Sequence, residues 1–272
     1  MNSLKQLASP LDRRFRPRVS RVRIVMIAIA GTLVACLVAG CVVLAARSSG
    51  ATDTDSRPEA SLTDLRGVMA SNSDVTVSVL GDSTGNTSDE WVGLWARALS
   101  VHHIVRLHLW DKDRSRFFFQ PYLYGATGPQ LSIWNGSVSG SSAGQAIPNL
   151  NILQPTRPDI VLLSFGHNQH PGTASRDSED LFQAIRNRWG KSVAVAVILQ
   201  NAATSPRSSR SARNVEEIRF WALGRGLPII DVFSAFHKSR DLGSLIVPDG
   251  LGVHPNAAGS QLWFETVWSA LD

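Results

Sequence analysis

From about residue 71 onward, short and nearly continuous apolar runs alternate with longer amphipathic stretches. VTVSVL at 75–80, LSIW at 131–134, DIVLLSF at 159–165, VAVAVILQ at 193–200 and LPIIDV at 227–232 have strand length and favour Val and Ile. Between them, 90–99 carries Trp91, Leu94, Trp95 and Ala98 at helical spacing, and 180–189, 210–223 and 256–271 also read as helices. Gly224 and Gly226 stop the third of these, and Asn256 is placed to cap the fourth. Strands apolar on both faces and separated by helices predict a parallel sheet covered on both sides. That is a three-layer α/β/α sandwich, which binds ligands at the carboxyl ends of its strands. The stretch 103–128 breaks the rhythm, with VRLHLW at 105–110 and RFFFQ at 116–120 around a charged turn. It reads as an inserted hairpin or strand pair, equally suited to extra core strands or to a wall of a substrate pocket.

The amino-terminal 70 residues follow a different logic. The apolar run 24–46 (IVMIAIAGTLVACLVAGCVVLAA) is long enough to cross a hydrocarbon core of roughly 30 Å as a helix. Lys5, Arg13, Arg14, Arg16, Arg18, Arg21 and Arg23 precede it with a single acid, Asp12. By the positive-inside rule this predicts a basic cytoplasmic tail at 1–23, a transmembrane signal-anchor at 24–46 and an extracytoplasmic remainder. Two rivals stay open: a cleaved signal peptide, and a lipoprotein carrying lipid on Cys41 of Val38-Ala39-Gly40-Cys41. The small, polar, proline-containing stretch that follows predicts a flexible linker at 47–70, ahead of a domain at 71–272.

The location of the charge changes its meaning. The whole chain carries a formal +5, but the basic tail accounts for it, and residues beyond 46 sum to −1. No basic groove, and hence no nucleic-acid partner, is implied for the domain. Cys36 and Cys41 both lie in the apolar run, so the domain has no cysteine chemistry. The remaining histidines show no metal-ligand spacing, and neither metal nor cofactor is expected.

The chemistry lies in polar groups that follow the strands. Gly81-Asp82-Ser83 ends the first strand in a tight turn, which exposes a serine able to attack and to offer its own N–H to the reacting oxygen. His254, held between a glycine-rich loop and Pro255, is the candidate base, and Asp249 could hold its ring in the productive tautomer. Gly140 could offer a backbone N–H and Asn168 a side-chain amide to an oxyanion. Taken singly, each also fits a turn former or a cap. Trp110 and Trp134 lie near the same rim and could stack on a sugar, although most tryptophans serve as core.

These four blocks, Gly81-Asp82-Ser83-Thr84, 135–140 (NGSVSG), Gly166-His167-Asn168 and Asp249 through His254-Pro255, resemble those of the SGNH (GDSL-type) hydrolase superfamily in order and interval. The resemblance runs from about Val75 to the end of the chain. It implies a flavodoxin-like sheet of five parallel strands and a Ser-His-Asp mechanism through a covalent acyl-enzyme. It assigns Ser83, His254 and Asp249 to catalysis, and Ser83, Gly140 and Asn168 to the oxyanion hole. Two departures stand out. Asp249 precedes His254 by five residues where the family uses three, which leaves open a dyad aided by a backbone carbonyl. Gln169 stands where an aspartate often follows the asparagine. The combination of blocks is similar to carbohydrate acetylesterase-like members. The expectation is therefore a membrane-tethered, extracytoplasmic esterase acting on small acyl esters, O-acetyl groups on a glycan above all. An O-acyltransferase on cell-envelope glycan and a non-catalytic glycan-binding protein remain as alternatives.

Overall fold

The computed structural model describes residues 58–272. The expected tail and anchor, and the linker up to residue 57, lie outside the described residues. Among the described residues no helix is long and apolar enough to cross a membrane.

Helix α1 (Leu62–Met69) is followed by β1 (Val75–Gly81), α2 (Trp91–Leu99), β2 (Ile104–Asp111), β3 (Arg116–Phe117), β4 (Tyr122–Tyr124) and β5 (Gln130–Asn135). Two short helices, α3 (Ala143–Ala146) and α4 (Leu150–Leu153), then lead to β6 (Ile160–Ser164), α5 (Ala174–Trp189), β7 (Ala194–Leu199) and α6 (Ser208–Gly224). β8 (Ile229–Asp231), α7 (Val232–His237) and α8 (Ala257–Leu271) complete the domain.

The strands β2-β5-β1-β6-β7-β8 pair in that order and all run parallel. The five strands β5-β1-β6-β7-β8 have the flavodoxin-like 2-1-3-4-5 order. The expected five-strand sheet is thus enlarged by a sixth parallel strand, β2, at the edge. β3 and β4 return antiparallel along the outer side of β2. Of the two readings of the 103–128 insert, extra core strands is the one the structure shows for β2. Val105, Leu107 and Leu109 of β2 are core residues.

Alternate residues of each central strand feed opposite faces. Ile160 and Leu162 of β6 join α1, α2, α7 and α8 in one apolar cluster, whereas Val161 and Leu163 join α3, α4, α5 and α6 in the other. This double coverage makes the three layers. Trp91 of α2 and Trp263 of α8, both fully buried, stack with ring centroids 5.8 Å apart.

The linker expected at 47–70 is corrected over its last residues. Ser61 and Asp64 form a capping box that starts α1, and Leu65 and Met69 are buried in the same cluster as Trp263, Val267 and Leu271. Arg66 donates to the Ser269 and Ala270 carbonyls at the end of α8. A polar segment thus becomes helix because two apolar side chains one turn apart find a partner in α8. The predicted cap of α8 is present: the Asn256 side chain accepts from the Ala258 and Gly259 N–H groups.

Candidate active site

β1 ends at the topological switch point of the sheet, flanked by β5 and β6. Gly81 is required there, because a Cβ would lie 2.9 Å from both Ser137 Oγ and the Ser164 carbonyl. The turn beyond it is tied from inside. Asp82 is buried, and one carboxylate oxygen accepts from the Thr84 N–H (3.1 Å) and hydroxyl (2.9 Å). Its other oxygen accepts from Asn168 Nδ2 at 2.9 Å. Asn135 Nδ2 donates to the Gly85 carbonyl at 2.6 Å, which ties the end of β5 to the same turn. Ser83 is left partly exposed at the apex.

Ser83 Oγ lies 2.9 Å from His254 Nε2. His254 Nδ1 is in hydrogen-bond contact with Asp249 Oδ2. The five-residue separation closes because Gly250 and Gly252 adopt φ of +77° and +70°. These left-handed conformations fold the loop back on itself and suit glycine. Asp249 Oδ1 accepts from the Leu251 and Gly252 N–H groups at 2.8 and 3.2 Å, which turns Oδ2 toward the ring. The His254 Nδ1–H and these two N–H groups hold the Asp249 carboxyl below its usual range. An ionised carboxylate only accepts, so Nδ1 carries the ring proton and Nε2 accepts from the Ser83 hydroxyl.

The loop bearing His254 is anchored from below. Thr204 N–H donates to the Gly252 carbonyl at 2.8 Å, and Asn201 Nδ2 donates to the Val253 carbonyl at 3.0 Å. Asn201 Oδ1 lies 3.1 Å from His167 Nε2, and His167 Nδ1 lies 3.0 Å from Ser211 Oγ. His167 therefore donates from Nε2 and accepts at Nδ1. Burial pushes its pKa down, so the ring is held neutral. Gln200 accepts from the His167 N–H at 2.8 Å and donates to Thr84 Oγ1 at 3.1 Å. This network of His167, Gln200, Asn201 and Ser211 was not anticipated from sequence. The polar pair Gln200-Asn201 at the carboxyl end of a wholly apolar strand was its one visible signal.

Three N–H groups named as candidate oxyanion donors, on Ser83, Gly140 and Asn168, have a hydrogen left over. Among the described residues, hydrogen bonds outside the regular elements engage neither the Ser83 N–H nor the Gly140 N–H. Gly140 has φ +77° and open space where a Cβ would stand. Asn168 Nδ2 gives one hydrogen to Asp82 and retains a second. Gly140 also lines a cavity of about 350 Å³ together with Trp110, Lys112 and Gln145. Trp110 borders the cavity but is buried in the core and meets Phe117 edge-on, with ring centroids 5.2 Å apart, so it does not present the free ring face expected for stacking on a sugar. Trp134 does not line this cavity: its ring stacks on His108 at 3.8 Å between centroids and meets Phe117 edge-on.

Residues 79–262 match the model of the GDSL-like lipase/acylhydrolase family. The chain belongs to that family. With the fold and the paired Ser83 and His254, GDSL-like membership makes it a carboxylic ester hydrolase. No curated protein matches it. Among solved structures it is similar to a lipase/acylhydrolase from Enterococcus faecalis, with 16% identity, TM-score 0.52, and 71% of this chain and 92% of that one covered. It is also similar to a two-domain esterase active on acetylated mannans, with 16% identity, TM-score 0.56, and 79% and 54% covered. An acetyl xylan esterase matches with 18% identity, TM-score 0.50, and 73% and 100% covered. At these identities the likeness is one of fold.

Proposed function

We propose that this GDSL-like hydrolase removes small acyl groups, chiefly O-acetyl, from a glycan, through Ser83, His254 and Asp249. The observation that carries the proposal is the unbroken hydrogen-bonded line from Ser83 Oγ through both ring nitrogens of His254 to Asp249. Ser83 Oγ attacks the ester carbonyl carbon as its proton passes to His254 Nε2. The oxyanion is received by the Ser83 and Gly140 N–H groups and the second Asn168 hydrogen, and Asp249 stabilises the imidazolium. Collapse of the intermediate returns the proton to the leaving sugar hydroxyl and leaves Ser83 acylated. Water then attacks the acyl-enzyme, gives its proton to His254, and releases the acid with Ser83 restored.

A glycan is accommodated by the cavity beside Gly140, where serine, glutamine, asparagine and lysine side chains share the lining with Val138, Ile152 and Leu153. The acetyl xylan and acetylmannan esterases of similar fold agree with this choice. The apolar run at 24–46 behind its arginines would hold the hydrolase outside the cytoplasmic membrane, facing envelope or environmental glycans. Acetate release from p-nitrophenyl acetate and from acetylated oligosaccharides, with Ser83→Ala as control, tests the reading. Release that depends on Ser83 supports it. Equal release by the Ser83→Ala variant contradicts the assignment.

A further inference from the structure

The cavity at Gly140 has one charged side chain in its lining, Lys112. The turn that presents Lys112 is fixed: Asp111, buried, accepts from the Asp113 and Arg114 N–H groups at 3.1 and 3.2 Å. Asp111 also takes the Arg114 guanidinium at 2.6 Å, so that cation is already matched. Lys112 is not. Its Nζ donates to the neutral Ser139 carbonyl at 3.1 Å, next to Gly140, and it forms no ion pair among the described residues. An ammonium has three donors, so two remain available. Ser115, Gln145 and Asn149 also line the cavity, and their Oγ, Nε2 and Oδ1 atoms make no hydrogen bond among the described residues.

We infer that this cavity receives an anionic sugar, with Lys112 pairing a carboxylate on the glycan unit that carries or adjoins the scissile ester. The inference rests on the esterase reading above and narrows its substrate class to acylated acidic glycans. The neutral donors and acceptors suit ring hydroxyls. A single unmatched cation in the cavity that Gly140 borders selects for charge in the substrate, because a neutral glycan gives it no counter-charge. The contact is solvent-exposed, so its contribution is modest and salt-sensitive.

The matched probes are an acetylated oligogalacturonate and the same oligomer methyl-esterified on its carboxylates, assayed with the full chain for acetate release. The ratio of kcat/KM, anionic over neutral, is expected to exceed one and to fall with added salt. Lys112→Gln lowers that ratio by about two- to five-fold, the range of an exposed ion pair. Lys112→Glu takes it below one, and Lys112→Arg keeps it. A purely structural role for Lys112 would change both substrates together and leave the ratio alone. Binding of the two oligomers to the Ser83→Ala variant reads the same selectivity without turnover. Equal binding of both, or of neither, overturns the inference, whatever the fate of the esterase reading. A ratio that Lys112→Glu does not change overturns it as well. Ester hydrolysis that survives in Ser83→Ala contradicts the catalytic reading instead.

Discussion

Asp249 Oδ2 meets His254 Nδ1 across five residues because Gly250 and Gly252 both turn left-handed between them. Asp249→Asn should leave the loop in place but favour the wrong ring tautomer. Turnover on a p-nitrophenyl ester is expected to fall by about 10³–10⁴-fold. A fall under ten-fold would place the orienting role elsewhere.

Gly252 offers a test of the loop without touching either polar partner. A Cβ there would lie 2.7 Å from Thr204 Oγ1 and 2.8 Å from two backbone carbonyls, at φ +70°. Gly252→Ala should therefore displace His254 from Ser83, with kcat reduced while the far-ultraviolet circular dichroism of the sheet and helices persists. Retained turnover would show that the loop tolerates the shift.

Asn168 is pinned through Asp82, which leaves its second amide hydrogen for an oxyanion. Asn168→Ala should lower kcat by about 10²–10³-fold with little change in KM. A change confined to KM would mark Asn168 as a binding residue only.

The buried network predicts a pH signature. The pKa of His167 is pushed down by burial, so the unfolded chain binds more protons than the folded one as pH drops below the ordinary histidine value of about 6.5. Stability should then decline with falling pH, by at most about 1.4 kcal/mol per unit from this group. Asp249 acts in a lower window. Its carboxyl is held below the ordinary value of about 3.9, so its contribution is present above that value and lost only as pH falls through the folded one. Denaturant unfolding of wild type and His167→Gln across pH 4.5–7 checks the first claim. A pH slope unchanged by the substitution would contradict it.

The sheet was legible because β6 and β7 are apolar on both faces, the pattern of a covered parallel sheet. β2 was visible as an extra strand, but its parallel place in the sheet was not, because IVRLHLWD alternates apolar and polar positions as a strand with one buried face does. α1 escaped because its register becomes visible only against α8. In the site, Ser83, Asp249 and His254 could be proposed because their order along the chain is informative. The distance between Asp249 and His254 could not, since it depends on two glycine torsions. His167, Gln200, Asn201 and Ser211 were hidden for another reason. A lone polar residue after a strand reads as a turn former until its buried partners are known.

The central claim is that Ser83 is the nucleophile activated by His254. Labelling of the full chain with a fluorophosphonate, followed by peptide mass spectrometry, tests it most directly. A single adduct on Ser83, absent in Ser83→Ala and formed far more slowly in His254→Ala, is the predicted result. An adduct on another residue, or unchanged labelling and ester hydrolysis in Ser83→Ala, would contradict it.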